Sequence, residues 1–176
     1  MGLFSLRLLR YLYICLRAEK LIDKGCYKNA INLIEAFLEK KIYATETIYY
    51  ILGKAHYGNK NYKLAFESFD LAIENNSYED INKANTLFYL GLAYYDSKIF
   101  DKAIKVFRKS ISIKEEIKYR RDMVISLPHV YCYLGRTYAR LGRNSEAHDA
   151  FNMGLKYEPD NKALKREFSL LDIQRE

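Results

Sequence analysis

The stretch PHVYCYLGRTYARLGRNSEAHDAFNMGLKYEP, residues 128–159, decides the fold of this chain. Its first half has apolar side chains every three or four residues, which predicts one packed face of a helix. Gly142 then allows a left-handed turn, and Asn144 is predicted to cap a second helix. That second helix carries three residues on one face, Ala147, Phe151 and Gly154. The stretch therefore predicts two antiparallel helices with small residues where their backbones approach.

The same pattern recurs upstream. Leu52-Gly53 and Leu90-Gly91 repeat the pair Leu134-Gly135, and a weaker copy begins near Ile14. All four copies carry an alanine in the second helix, namely Ala30, Ala65, Ala103 and Ala147. This arrangement resembles the tetratricopeptide repeat (TPR), a helix-turn-helix unit of ~34 residues with an L-G pair, an alanine and an aromatic residue in series.

The resemblance implies an all-α fold, a right-handed α-solenoid of four antiparallel helix pairs. We predict one domain over residues 1–176, with repeats at 11–44, 46–79, 84–117 and 128–161 and a capping helix at 161–175. Asp160 is expected to cap that last helix. The interval between Gly91 and Gly135 is about ten residues longer than the usual ~34, and we expect two longer facing helices rather than a long loop.

Composition agrees with a packed helical protein in a reducing compartment. The 176 residues include 17 Tyr but only 2 Pro, which disfavours disorder and an all-β fold. The three cysteines, Cys15, Cys26 and Cys132, are odd in number and widely spaced. Reduced thiols and a cytoplasmic location are therefore expected.

A net charge of +7 has two explanations, attraction to an acidic partner or simply a lysine-rich composition. Basic residues concentrate in one predicted helix, 105–121, and include Lys105, Arg108, Lys109, Lys114, Lys118, Arg120 and Arg121. This segment makes nucleic-acid binding an alternative function. A solvated helix face is the commoner reason for such a run.

The first 17 residues support a second alternative, association with a membrane surface. Leu8, Leu9, Leu12 and Leu16 cluster on one side of a predicted helix, whereas Arg7, Arg10 and Arg17 lie opposite. The simpler interpretation is the first helix of repeat one with an exposed basic face. No charge-free run approaches the ~20 residues that a transmembrane helix needs, and no cleavable signal peptide is expected.

By the resemblance, the first helix of each pair lines a concave groove. The groove positions of the second, third and fourth repeats are Tyr50, Lys54, Tyr57, Asn85, Phe88, Leu92, Tyr95, His129, Cys132, Arg136 and Arg140. Aromatic and arginine side chains are frequent anchors of protein interfaces. We therefore predict a non-catalytic scaffold that binds a peptide or helix of a protein partner with apolar and acidic side chains.

Other chemistry is poorly represented in the sequence. No phosphate-binding loop or nucleophile–base motif occurs, so neither an enzyme, a cofactor nor a small-molecule substrate is expected. His129 and Cys132 are three residues apart, but two ligands do not make a zinc site. A chaperone-tail clamp, known in the family, is also disfavoured, because Phe88 and Leu92 stand where it needs polar or basic groups.

Overall fold

The computed structural model describes residues 2–40, 45–76, 78, 80–117 and 126–173. All regular structure in these ranges is helical, as the sequence predicts, and forms two compact units. The first unit, Met1–Tyr78, contains α1 (Gly2–Asp23), α2 (Tyr27–Leu38), α3 (Glu46–Gly58) and α4 (Tyr62–Glu74). The second unit, Glu79–Glu176, contains α5 (Ile81–Asp96), α6 (Phe100–Glu116), α7 (Leu127–Arg140), α8 (Asn144–Tyr157) and α9 (Lys162–Ile173).

Helices pack as consecutive pairs because a large ring of one helix lies directly on a glycine of the other. A Cβ atom added to Gly91 of α5 would lie 2.4 Å from the ring of Phe107 in α6. Gly53 faces Phe69 in α3 and α4, and Gly135 faces Phe151 in α7 and α8, in the same way. The predicted role of these glycines is confirmed, since any larger residue would push the two helices apart.

Helix α9 closes the second unit. Leu164 and Leu171 are buried, and the ring of Phe168 lies with its centroid 4.5 Å from that of His148. The predicted apolar stripe of a capping helix is therefore present, packed on α7 and α8.

Two predicted helix caps are wrong by one residue. The residue that precedes α8 is Arg143, and Asn144 is already helical. At α9 the capping oxygen belongs to Asn161, whose Oδ1 accepts a hydrogen bond from the backbone N–H of Leu164 at 3.0 Å. At α9 two short polar residues, Asp160 and Asn161, adjoin one another, so composition alone could not choose between them. At α8 the helix begins one residue earlier than a cap at Asn144 would require, and Arg143 makes no side-chain cap hydrogen bond.

The long interval before Gly135 is only partly explained by longer helices. Helix α6 has 17 residues, against 12 to 14 in α2, α4 and α8. Helix α7 has only 14 residues, so the prediction of two lengthened helices is wrong for α7. Helix α6 ends at Glu116 rather than near 121, and residues 118–125 lie outside the described part of the chain.

One basic residue of α6 is buried rather than exposed. Lys114 is fully shielded from solvent, and its Nζ donates a hydrogen bond to Oδ1 of Asn85 in α5 at 2.8 Å. Burial lowers the pKa of Lys114 to about 8, because the charged ammonium loses its hydration. The prediction that this lysine belongs to a basic surface is therefore wrong.

The turns within the helix pairs use two different residue types at the same left-handed position. Gly25 and Gly142 both have φ of 72° after α1 and α7. Lys60 and Lys98 take φ of 61° and 60° after α3 and α5. A side chain with a Cβ atom is strained in this conformation, so the two lysine turns are less favourable than the two glycine turns.

Replacing Lys60 or Lys98 by glycine is expected to raise the free energy of unfolding by about 0.5–1 kcal/mol, because the left-handed strain is relieved. Urea denaturation of the single variants measures this change. Lys105→Gly, at an exposed interior position of α6, is the matched control and should lower stability by about 0.5–1 kcal/mol. Destabilisation by Lys60→Gly and Lys98→Gly as well would contradict the assignment.

A second prediction concerns the pH dependence of Lys114. Between its folded pKa of about 8 and the ordinary lysine pKa of 10.5, the unfolded chain binds more protons than the folded chain. This group therefore makes stability rise with pH across that window. The free energy of unfolding of Lys114→Met, relative to that of the wild type, should therefore be highest near pH 7. This difference should fall by at most about 1.4 kcal/mol per pH unit between pH 8 and 10.

The measurement is urea denaturation of both proteins at several pH values, with the difference taken at each pH to cancel titration of other groups. Lys105→Met, which removes a lysine from an exposed position of the same helix, is the matched control for the loss of one charge. A pH profile for Lys114→Met that matches the profile of this control would show that the Lys114 ammonium is hydrated in the folded protein.

Candidate functional site

In the first unit, the predicted groove residues lie together on α3. Tyr50, Lys54 and Tyr57 are each half-buried, and their spacing of four and three places them on one face. The Nζ of Lys54 lies 5.3 Å from the centroid of the Tyr50 ring, close enough for a cation–π contact. These three side chains therefore form one aromatic and basic patch.

In the second unit, four predicted groove residues are buried and expose little to a partner. Asn85, Phe88, Leu92 and Cys132 are each less than a tenth exposed. The ring centroid of Phe88 lies 5.8 Å from that of Tyr133, in an edge-to-face contact between α5 and α7. These side chains therefore support the surface rather than form it.

The Cys132 thiol is not set up as a nucleophile. Burial raises its pKa, and the nearby Arg136 guanidinium only partly opposes that effect. The neutral thiol is therefore the stable form at neutral pH, and a reactive cysteine needs the thiolate.

Three predicted residues that do reach solvent converge on one pocket. Tyr95 of α5 and Arg136 and Arg140 of α7 line an open pocket of about 670 Å³ in the second unit. Its other wall comes from α9, through Glu167, Leu170 and Leu171. The pocket thus combines two guanidinium groups, a phenol, a carboxylate and leucine side chains.

The two arginines of this pocket differ in their partners. Arg136 forms an ion pair with Glu167, Nη2 to Oε1 at 2.8 Å, and its guanidinium carbon lies 5.1 Å from the centroid of the Tyr133 ring. Burial lowers the pKa of Arg136, but the hydrogen bond to Glu167 and the charge interactions with Cys132, Glu167 and Tyr133 together outweigh that effect, so the net pKa is raised. Arg140 is exposed, and its Nε lies 3.5 Å from the hydroxyl oxygen of Tyr95.

His129 lies apart from this pocket. It is exposed near the start of α7, and its Nδ1 is 2.8 Å from Oγ of Ser126, the residue that precedes the helix. The local contact holds the first turn of α7. Within the described ranges, no cluster of three or more His, Cys, Asp or Glu residues could hold a metal ion.

Glu167 and Leu170 are not among the groove residues predicted from the sequence. A usable signal existed, since Glu167 is three residues after Leu164 and four before Leu171, both in the apolar stripe. That spacing places Glu167 beside the packed face of α9. The identity of its partner, Arg136, depends on how α9 lies against α7.

The basic residues of α6 form a smaller exposed group than the sequence suggested. Lys105, Arg108 and Lys109 are exposed, whereas Lys118, Arg120 and Arg121 lie outside the described residues. Arg108 lines a pocket of about 350 Å³ together with Glu146 and Asp149. Carboxylates beside this arginine weaken its attraction for phosphate groups.

Within the described ranges, no helix combines the length and the apolar character that crossing a membrane would need.

Comparison with known proteins gives a consistent result for both units. Two family models, each described as a tetratricopeptide repeat, match the chain, one at residues 15–80 and the other at 84–117 and 128–161. Together they match well over half of the chain. Among curated proteins, no match was found.

Solved structures of the same type are similar to this chain. The TPR domain of Arabidopsis OM64 is 22% identical with a TM-score of 0.63, covering 74% of this chain and 96% of that one. A structure of nearly identical TPR-like repeats from Podosopora anserina is 16% identical with a TM-score of 0.75, covering 92% and 84%. A MamA protein is 26% identical with a TM-score of 0.68, covering 83% and 72%.

The paired helices, the glycine–ring contacts that join them and the family models therefore agree on one classification. The chain belongs to the tetratricopeptide repeat family.

Proposed function

We propose that this protein is a non-catalytic scaffold that binds a segment of a partner protein, and that the pocket beside Arg140 is a main contact site. The convergence of Tyr95, Arg136 and Arg140 on a single pocket carries the proposal. Membership of a repeat family that commonly mediates protein–protein interaction supports it. The buried, neutral Cys132 thiol fits a surface that binds rather than reacts.

The charge distribution in the pocket favours an acidic partner group at Arg140. Glu167 already neutralises Arg136, whereas no described carboxylate lies within ion-pair distance of Arg140. A carboxylate of the partner could accept hydrogen bonds from the Arg140 guanidinium, in the paired geometry that arginine and carboxylate prefer. It would be repelled by Glu167, so it is expected on the Arg140 side of the pocket.

The α9 wall favours an apolar neighbour for that acidic group. Leu170 is 47% exposed and lines the pocket, so a partner side chain that covers it removes apolar surface from water. The partner segment is therefore proposed to carry an acidic residue and a leucine-like residue close together. A short helix or an extended peptide can present that pair.

The patch of Tyr50, Lys54 and Tyr57 on α3 is proposed as a second contact surface, in the first unit. Half-buried tyrosines offer a rigid apolar area together with a hydroxyl group, which suits binding. No cofactor is assigned to either surface. The free thiols of Cys15, Cys26 and Cys132 fit a reducing, cytoplasm-like compartment.

Selection of 12-residue peptides from a random displayed library against the purified protein tests the pocket. Enriched peptides are expected to pair Asp or Glu with an apolar residue. Fluorescence anisotropy with the best peptide should show at least about tenfold weaker binding to Arg140→Glu, because like charges then face each other. Changing the acidic residue of the peptide to lysine should restore binding to that variant.

Arg166→Glu is the matched control, since Arg166 is an exposed arginine of α9 that does not line the pocket. This variant has the same net charge as Arg140→Glu and should bind the peptide like the wild type. Circular dichroism verifies the helical content of each protein. Selected peptides without acidic residues, or equal weakening by both variants, would refute the assignment of the pocket.

A further inference from the structure

Helix α1 has two apolar faces, and only one of them is packed. Ile14 and Ala18 are buried in the core of the first unit. A second face carries exposed apolar side chains, whose exposed fractions are Leu6 66%, Leu9 63%, Leu12 47%, Tyr13 54% and Leu16 60%. A helix that is apolar on both sides needs a second partner to cover the free face.

The free face is broad rather than narrow. At about 100° per residue, Leu6, Leu9, Leu12, Tyr13 and Leu16, together with Leu8, span an arc of roughly 160° around the helix. The seam by which two helices form a coiled coil is narrower, because only two of seven positions contribute to it. The wide apolar arc therefore favours an extended surface on which the helix lies flat, rather than a single partner helix.

Between Leu6 and Arg17 every charge beside the free face is positive, and Glu19 lies with Lys20 at the C-terminal end of that face. Arg10 and Arg17 border the apolar arc, and Lys20 follows at its C-terminal end. The first acidic residue of the chain is Glu19. The Arg17 side chain lies along the face, with its Nη1 donating a hydrogen bond to the hydroxyl of Tyr13 at 2.5 Å.

These charges decide between the possible occupants. A second copy of α1 would bring arginines against arginines along the seam, with no carboxylate before Glu19 to neutralise them. Anionic lipid headgroups neutralise the arginines, while the leucines reach the acyl chains. We propose that α1 lies flat in the interface of an anionic lipid bilayer, with the face Leu6–Leu9–Leu12–Tyr13–Leu16 immersed.

The geometry of α1 suits this position. Residues 6–16 cover about 15 Å along the helix axis, so the leucines form a continuous contact rather than isolated points. An in-plane helix immerses its apolar side by roughly 5–10 Å, and arginine side chains can extend from its edge to the phosphates. The opposite side of α1 stays packed against α2 and α3, so docking leaves the fold of the first unit unchanged.

Co-sedimentation of the full chain with vesicles tests the proposal. Vesicles of phosphatidylcholine with about 30% phosphatidylglycerol, which carry a negative surface charge, are compared with vesicles of phosphatidylcholine alone. The wild type should bind the anionic vesicles at least about tenfold more tightly, and added salt should weaken that binding. Leu9→Gln with Leu16→Gln, and Arg10→Gln with Arg17→Gln, should each reduce it at least about tenfold.

Leu64→Gln with Leu71→Gln is the matched control, because these are exposed leucines of α4 in the same unit. It should bind like the wild type, and light scattering should show no dimer that depends on Leu9 and Leu16. Circular dichroism and thermal melts establish that every variant is folded. Absence of vesicle binding by the wild type, unchanged binding by the Leu9 and Leu16 variant, or a dimer abolished by that variant would each overturn the proposal.

Discussion

The contact of a phenylalanine ring with a glycine of the preceding helix holds each of three helix pairs together. Phe69 on Gly53, Phe107 on Gly91 and Phe151 on Gly135 all place ring atoms where a Cβ atom would otherwise be, within about 2.5 Å of its position. The ring gains full burial, and the two backbones approach closely enough for their other side chains to interlock. Packing of this kind tolerates very little change in volume, because the atoms that face each glycine belong to a rigid ring.

Close pairing also determines which side chains remain available at the surface. In the second unit, Phe88 packs against Phe107 and Tyr133, Leu92 is buried, and Asn85 accepts a hydrogen bond from the buried Lys114. Of the groove residues predicted on α5 and α7, Tyr95, Arg136 and Arg140 reach solvent and share one pocket, whereas the exposed His129 lies apart from it. Helix α9 supplies Glu167 there, which forms an ion pair with Arg136, so the proposed contact with an acidic partner group is assigned to Arg140. Fold and site thus share the same helices but use different faces of them.

Helix α1 shows the same separation of roles within a single element. One face of α1 contributes Ile14, Cys15 and Ala18 to the core, whereas the leucines on its other side are exposed. Apolar side chains kept in water cost free energy unless another surface covers them. Arginines at the border of that face, and the absence of acidic residues before Glu19, make the face complementary to negative charge. Its broad shape and its charge both fit a bilayer surface.

The sequence by itself determined the helical class, the pairing of helices and the residues that join them, because small and large side chains recur with a fixed helical period. It also placed Tyr95, Arg136 and Arg140 in one predicted group. It could not show that Lys114 is buried, because a lysine among other basic residues is expected to be exposed until its neighbours in the fold are known. The sequence also could not predict the ion pair between Glu167 and Arg136, because that contact depends on how closely two helices distant in the chain approach each other. It predicted Asn144 and Asp160 as helix caps wrongly, because the cap depends on the residue at which each helix begins. Periodicity records which face of a helix is packed, whereas the partner of each side chain is decided only when the helices meet.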